Sequence, residues 1–281
     1  MKERTITSVV IVILTLLLVI FSSYIIYPIV LSLLAVVAAY EILKVMGAHK
    51  KLVLSIPAYL IAAAFPTLAY FVKVDNVTSF LLILSAVMFV YLMWLMGVSV
   101  FSKGSILFSR IAEVFASVLY VTVSFTSLSL IRYLDRACGV FALVLVFTVA
   151  WACDVFAFAV GSLIGKHKLI PEISPKKTVE GAIGGIVFSA LFCLVYGLGL
   201  DFIVDNMTVN YLMLGLVGVI LPIVSQLGDL VASLIKREYG VKDYGKIFPG
   251  HGGVMDRFDS VLAVSTILLI LCMVFPPFVI S

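Results

Sequence analysis

Residues 233–259 read SLIKREYGVKDYGKIFPGHGGVMDRFD, and they form the most polar stretch of a very apolar chain. Its 27 positions hold five Lys or Arg, four Asp or Glu and one His, together with several glycines and Pro249. Apolar runs long enough to cross a bilayer flank it on both sides. The pattern predicts a polar loop at a membrane surface, held between two transmembrane helices.

The rest of the chain has the composition of a membrane protein. Of its 281 residues, 63% are hydrophobic and only 12% are charged, and the mean hydropathy is +1.26. A soluble domain has roughly 45–50% apolar residues and about 25% charged ones. The composition therefore excludes a soluble globule of this length and indicates an integral membrane protein.

Nine apolar segments reach the ~20 residues that a helix needs to cross the hydrocarbon core. They are residues 6–23, 25–46, 52–72, 78–101, 109–131, 139–163, 180–200, 208–235 and 259–279. Helices satisfy their own backbone hydrogen bonds in lipid. The predicted fold class is therefore an all-α integral membrane protein, a polytopic bundle of about nine transmembrane helices.

The positive charges predict the orientation of the chain. With the N-terminus in the cytoplasm, only Lys73, Arg132 and Arg136 of the 19 Lys and Arg fall outside. Such an excess of cytoplasmic charge favours a cytoplasmic N-terminus and an outer C-terminus. We expect a multi-pass protein of the inner (plasma) membrane, with loops 164–179 and 236–258 on the cytoplasmic face.

The polarity is unevenly divided along the chain. Residues 1–135 have short connections and few polar groups within their spans, so we expect them to be a helical scaffold. Residues 136–281 hold almost all the remaining polarity and both long cytoplasmic loops, so we expect them to be the catalytic region.

Three carboxylates suggest a site for Mg²⁺, which prefers oxygen ligands and substrate phosphates. Asp256 and Asp259 are three residues apart and would share a face at the start of the last helix. Either one alone could simply be an acid at a helix N-terminus. Asp229 lies near the cytoplasmic end of the preceding span, where the alternative is a salt bridge with Lys236 or Arg237.

The same stretch carries groups suited to phosphate. Its Lys and Arg side chains can neutralise phosphate oxygens. The run Pro249–Gly253 offers backbone N–H groups that can approach a phosphate closely. His251, between glycines and acids, could be a metal ligand, a proton carrier or a phosphate contact.

A second polar loop has the pattern of a helix start. Residues 174–181 read SPKKTVEG, with Thr178 as the candidate N-cap. One interpretation is an ordinary positively charged cytoplasmic loop. The other is an anion-binding helix N-terminus, where free N–H groups and the side chains of Lys176 and Lys177 meet phosphate.

Three further acids lie in or near apolar spans. Asp154 is inside the sixth span and must be paired or hydrogen-bonded, so it is a candidate site residue. Glu113 and Glu41 lie near span ends, and we expect local ion pairs with Arg110 and Lys44 respectively.

Residues 233–259 resemble the signature of the phosphatidate cytidylyltransferase (CDP-diacylglycerol synthase) family. That signature is S-x-x-K-R, four residues, K-D-x-G, and then P-x-H-G-G-x-x-D-R-x-D. Every fixed position is filled here, by Ser233, Lys236, Arg237, Lys242, Asp243, Gly245, Pro249, His251, Gly252, Gly253, Asp256, Arg257 and Asp259. The 174–181 loop and Asp154 resemble the family's upstream loop and intramembrane acid, so the likeness covers about residues 150–260 closely.

The resemblance implies that CTP and phosphatidic acid react to give CDP-diacylglycerol and pyrophosphate. It implies Mg²⁺, as one or two divalent cations, and a monovalent second ion is compatible with it. The metal ligands would be Asp229, Asp256 and Asp259, and these three act in catalysis together with Lys236, Arg237 and His251. Substrate would be bound by Asp154, Lys176, Lys177, Thr178, Ser233, Lys242, Asp243, Gly252, Gly253 and Arg257.

Two other functions stay open from the sequence. A CTP-dependent lipid-alcohol kinase would also bind a nucleotide at a membrane, but it would release CDP rather than pyrophosphate. A secondary transporter would place polar groups near the midplane and often repeat one half of its fold. We expect a homodimer, because the first half needs a packing partner, and no nucleic-acid partner.

Overall fold

The computed structural model describes residues 2–135 and 138–280, and within them the chain is almost entirely helical. The helices are α1 (Lys2–Ile20), α2 (Ile26–Val45), α3 (Leu52–Leu68), α4 (Val77–Phe101), α5 (Phe108–Leu134), α6 (Gly139–Ile164), α7 (Val179–Ile203), α8 (Tyr211–Glu238) and α9 (Met255–Val274). Two short antiparallel strand pairs join them: β1 (Lys168–Ile170) with β2 (Ser174–Thr178), and β3 (Met207–Val209) with β4 (Phe278–Ile280).

Eight of these helical segments are long and apolar enough to cross a membrane. They correspond to α2 through α9, and they confirm the predicted all-α, multi-pass fold. The first helix has a shorter apolar part, Thr7–Ser23, so its crossing of the membrane stays a prediction. The orientation also stays a prediction, and Arg136, which the charge count includes, lies outside the described residues.

The chain forms two compact units, and the first comprises Met1–Leu134 together with Val241–Arg257. In it, α2, α3 and α5 pack on one another, and α4 packs on α5. At one end of α5 the buried Arg132 donates to the hydroxyl oxygens of Ser22 (2.9 Å) and Ser23 (2.7 Å). These hydrogen bonds fix the link between α1 and α2 and satisfy a cation that is costly to bury.

The second unit comprises Asp135–Gly240 together with Phe258–Ser281, and α6, α7 and α8 pack together in it. Glycines allow the close approach: a Cβ added at Gly184 would lie 2.6 Å from the Val160 side chain. One added at Gly218 would lie 2.7 Å from the Ala190 backbone. Small residues at helix contacts are typical of membrane proteins.

The last helix begins at Met255, four residues before the predicted apolar span 259–279. Asp256 therefore lies in its first turn, at the helix start that the sequence predicts for it. The helix ends at Val274, just before Pro276 and Pro277, since proline cannot donate the helical hydrogen bond.

The segment Val241–Arg257 belongs with the first unit although its flanks belong to the second. The predicted division into a scaffold, 1–135, and a catalytic region, 136–281, stays a prediction.

Candidate active site

In the second unit, Lys177 and Asp229 form an ion pair. The Lys177 ammonium, at the end of β2, is 2.5 Å from Oδ2 of Asp229 in α8. Ser233, one turn along α8, donates to Oδ1 of Asp229 at 3.4 Å. The two paired side chains are only 25% and 28% exposed. The pair joins β2 to α8, which differs from the local partners, Lys236 or Arg237, considered from the sequence.

Asp259 of α9 lies within electrostatic range of this pair. Its carboxylate is repelled by the charges of Asp229 and Asp154 and attracted by Lys236. Gly228 allows the approach, because a Cβ there would lie 2.8 Å from the Asp259 carbonyl oxygen. Two of the three predicted metal ligands, Asp229 and Asp259, therefore share one region of the second unit.

A cavity of about 340 Å³ opens beside these groups in the second unit. One part of its wall is polar, and the remainder is apolar. The lining residues include Asp154, Ser174, Lys176, Lys177, Thr178 and Gln226 on the polar part, and Ala157, Phe158 and Leu169 on the apolar part. Such a wall suits a ligand that has an anionic head and an apolar body.

The loop that carries the two lysines is fixed at the start of α7. The side chain of Thr178 accepts a hydrogen bond from the Gly181 N–H at 3.1 Å, which confirms the predicted N-cap. The Glu180 carboxylate accepts from the Lys166 N–H at 3.1 Å and lies 2.6 Å from Nδ1 of His167. The Gly181 N–H is thus used within the protein, so an anion here would meet the lysine side chains first.

In the first unit, Asp256 shapes the glycine-rich loop. Its buried carboxylate accepts the N–H groups of Tyr244 (2.7 Å) and Gly253 (2.9 Å) through the same oxygen, Oδ2. Gly252 has a φ of +86°, and a Cβ there would lie 2.5 Å from that oxygen. The Gly253 N–H thus has a partner within the loop, and its predicted contact with phosphate stays a prediction. A metal-binding role for Asp256 stays a prediction.

Glu41 is a residue whose importance the sequence reasoning missed. Its carboxylate, only 2% exposed, accepts the N–H of Val254 at 3.1 Å and the N–H of Met255 at 2.9 Å. The predicted local pair with Lys44 is therefore corrected to a long-range contact with the start of α9. The available signal was an acid near the end of an apolar span, which is costly without a strong partner. The other local pair is confirmed, since Arg110 and Glu113 are 3.2 Å apart.

The start of α1 contacts the same loop. The Ser8 hydroxyl is 2.9 Å from Nε2 of His251, and the Thr7 hydroxyl donates to the Pro249 carbonyl at 3.0 Å. These contacts place the N-terminal turns of α1 beside the polar loop, as expected if both lie on the same side of the membrane. The catalytic role of His251 stays a prediction.

The donor atoms suit a hard cation in part. Among the side chains that the structure describes, no three of His, Cys, Asp or Glu gather into a metal-binding group. Mg²⁺ in nucleotide enzymes, however, is commonly held by one or two carboxylates together with substrate phosphates. Asp229 and Asp259 supply such a pair of carboxylates, so the residues present fit a cation that arrives with its nucleotide.

Nearly all of the chain matches a known family. Residues 2–275 match the model of the cytidylyltransferase family. The chain belongs to the cytidylyltransferase family. The sequence resemblance is thus confirmed, and it extends beyond the signature stretch to the early helices of this cytidylyltransferase-family protein.

Similar proteins include a phosphatidate cytidylyltransferase of Bacillus subtilis, 35% identical over 281 residues, which are 98% of both chains. One of Staphylococcus haemolyticus is 44% identical over 177 residues, 63% of this chain and 65% of the relative. One of Staphylococcus aureus is 45% identical over 175 residues, 62% of this chain and 63% of the relative. The chain thus spans less than two thirds of these two staphylococcal relatives.

The predicted site residues of this cytidylyltransferase-family chain fall into two groups, one in each unit. The second unit holds Asp154, Lys176, Lys177, Thr178, Asp229, Ser233, Lys236, Arg237 and Asp259. The first unit holds Lys242, Asp243, His251, Gly252, Gly253, Asp256 and Arg257. Of these, Lys176, Arg237, Lys242, Asp243 and Arg257 are exposed, as charged residues that contact a soluble ligand would be. Asp154, within the apolar helix α6, is exposed as well.

Proposed function

We propose that this protein transfers the cytidylyl group of CTP to phosphatidic acid, giving CDP-diacylglycerol and pyrophosphate. The observation that carries the proposal is the cavity of about 340 Å³ in the second unit. Its wall joins the cations Lys176 and Lys177 to an apolar surface, and Lys177 of this wall is ion-paired with Asp229. An acidic lipid has this combination of an anionic head and an apolar body.

The lipid phosphate binds between the lysines, and its glycerol and acyl carbons lie along Phe158 and Leu169. A phosphatidate oxygen then attacks the α-phosphorus of CTP in line with the bond to the leaving pyrophosphate. One P–O bond forms as the other breaks. The attacking phosphate is already ionised at neutral pH, so the reaction needs no strong general base.

Cationic side chains bring the two polyanions together. Lys236 and Arg237 follow Asp229 on α8, and Lys242 and Arg257 flank the glycine-rich loop. Their charge offsets the repulsion between the triphosphate and the lipid phosphate and stabilises the charge that develops on the leaving group. In this proposal Asp229 and Asp259 would hold Mg²⁺, which would neutralise phosphate oxygens when bound. A metal-binding role for Asp256, which belongs to the first unit, stays a prediction.

The test is a turnover assay in mixed micelles of detergent and phosphatidic acid. Each of the four nucleoside triphosphates is supplied with and without Mg²⁺, and pyrophosphate and labelled lipid are measured. We expect pyrophosphate and CDP-diacylglycerol from CTP only when Mg²⁺ is present. In a parallel assay with a lipid alcohol in place of phosphatidic acid, release of CDP with phosphorylation of that alcohol would identify a kinase instead. Nucleotide-independent movement of a solute into vesicles would identify a transporter.

We further propose an inner-membrane location with the site on the cytoplasmic face, where CTP is available. The contacts of Thr7 and Ser8 with the loop at 249–251 support a common side for the N-terminus and this loop. Labelling of single cysteines at positions 242 and 73 in intact cells tests the orientation. Labelling of a cysteine at position 242 by a reagent that cannot cross the membrane would show that the orientation is the reverse of the one proposed. The homodimer is tested separately by the mass of the protein in detergent.

A further inference from the structure

The buried carboxylate of Glu41 belongs to α2, in the region predicted to be scaffold, yet it contacts the signature loop. It accepts the N–H groups of Val254 and Met255, which are 213 and 214 residues away in the sequence. The first N–H groups of a helix have no partner inside the helix. Glu41 therefore caps the start of α9 from a distant helix, and its negative charge faces the positive end of the helix dipole.

The loop backbone is wrapped closely around this carboxylate. A Cβ added at Gly245 or at Gly253 would overlap Oε1 of Glu41. The two glycines also approach each other, since the same Cβ at Gly245 would lie 3.0 Å from the Gly253 Cα. A side chain at either position would push the loop away from Glu41. Contact with the Glu41 carboxylate thus accounts for glycine at both positions of the signature.

A second buried carboxylate completes the arrangement. Asp256 accepts the N–H groups of Tyr244 and Gly253, so two acids together bind four backbone N–H groups of one loop. Buried carboxylates are stable when each is hydrogen-bonded in this way. Hydrogen bonds to the buried carboxylates of Glu41 and Asp256 therefore hold the loop backbone in its conformation.

We propose that Glu41 is a positioning residue for nucleotidyl transfer. It acts through the loop at 244–255, which carries His251 and connects Lys242 to Arg257. The inference rests on the proposed function, because the proposed function assigns Lys242 and Arg257 to the triphosphate. Transfer in line depends on alignment of the reacting groups, and a displacement of about 1 Å far from the chemistry can cost ~100-fold in rate.

The test replaces Glu41 by Gln, which keeps the shape of the side chain. The Gln amide supplies one oxygen and one NH₂ group, so one backbone N–H would face another donor. Glu113→Gln is the matched control. It is the same substitution in the same unit, at an acid that is about one third exposed and paired with Arg110.

Two quantities are measured for each variant: kcat per folded molecule with both KM values, and hydrogen exchange of the backbone amides. For Glu41→Gln we expect kcat to fall roughly 10- to 100-fold with the KM for phosphatidic acid within about threefold. Faster exchange should be confined to residues 244–256. Glu113→Gln should leave kcat and the exchange of this loop unchanged.

A wild-type kcat in Glu41→Gln would overturn the inference, and so would a loss of activity that tracks only the amount of folded protein. If Glu41→Gln does not fold, Gly245→Ala is measured in its place. The added methyl group of this variant overlaps the Glu41 carboxylate and so displaces the same loop. Normal turnover in Gly245→Ala would then refute it. Inactive wild-type protein would instead refute the proposed function, and the exchange data would still test the Glu41 contact.

Discussion

Replacing Lys177 by Met removes the cation that is ion-paired with Asp229 in the second unit. Asp229 would then face the charge of Asp259 without its 2.5 Å partner. Unit charges 4 Å apart interact by about 4 kcal/mol at an effective dielectric constant near 20. Partial exposure reduces this value, and the pair lies between surface pairs of about 0–1 kcal/mol and broken buried pairs of about 3–5 kcal/mol. We expect the free energy of unfolding to fall by about 2 kcal/mol.

Replacing Asp229 by Asn should affect turnover more than it affects the free energy of unfolding. The substitution leaves the Lys177 ammonium without its partner but also removes the carboxylate that repels Asp259, so the free energy of unfolding should fall by less than in Lys177→Met. Turnover, in contrast, should fall at least ~100-fold, because a group that organises charge in the transition state is lost. Stability and activity should therefore separate between the two variants.

Unfolding is followed by the fluorescence of Trp94 and Trp151 as SDS is added to protein in mild detergent, and turnover is measured on the same samples. Asp205→Asn, at an exposed acid of the same unit, is the control and should change neither quantity. The reasoning is wrong if Asp229→Asn destabilises the protein more than Lys177→Met does. It is equally wrong if Lys177→Met unfolds like the wild type.

Three further substitutions test other parts of the structure. Thr178→Ala removes the cap on the Gly181 N–H and should lower the free energy of unfolding by about 1 kcal/mol, while Thr178→Ser should restore it in the same SDS titration. Gly252→Ala forces a side chain into a φ of +86° and against Asp256, so it should cost about 1–3 kcal/mol and lower kcat, measured by pyrophosphate release. Arg132→Gln should lower stability by about 2 kcal/mol, yet leave kcat per folded molecule unchanged, since it ties together helix ends.

Much of the fold can be predicted from the sequence because the hydropathy of a membrane-spanning helix depends only on its own residues. A helix in lipid must be long and apolar over its own length, so α2 through α9 were each visible in a single window of sequence. The Thr178 cap was readable for the same reason, since it bonds a residue only three positions away. The Arg110–Glu113 pair is another contact within one helical turn.

Long-range contacts were not readable from patterns of this kind. Lys177 and Asp229 meet across separate elements, and the sequence favoured partners near Asp229 in the chain. The β1–β2 hairpin was missed because it has only three and five residues, too few for a periodic signal. Glu41 was assigned to Lys44 because that pair fits the spacing of a helix turn, whereas its real partners lie in another element.

The Glu41 contact also has a consequence for the order in which the protein is made. The N–H group of Val254 is synthesised 213 residues after Glu41, a delay of about 10 to 40 s at ordinary rates of translation. During that interval α2 carries a carboxylate without these two donors, at a cost of up to about 3 kcal/mol if it lies in lipid. This contact of Glu41 therefore forms only after the start of α9 has been made, and a nascent chain that stops before α9 should be a target for membrane proteases.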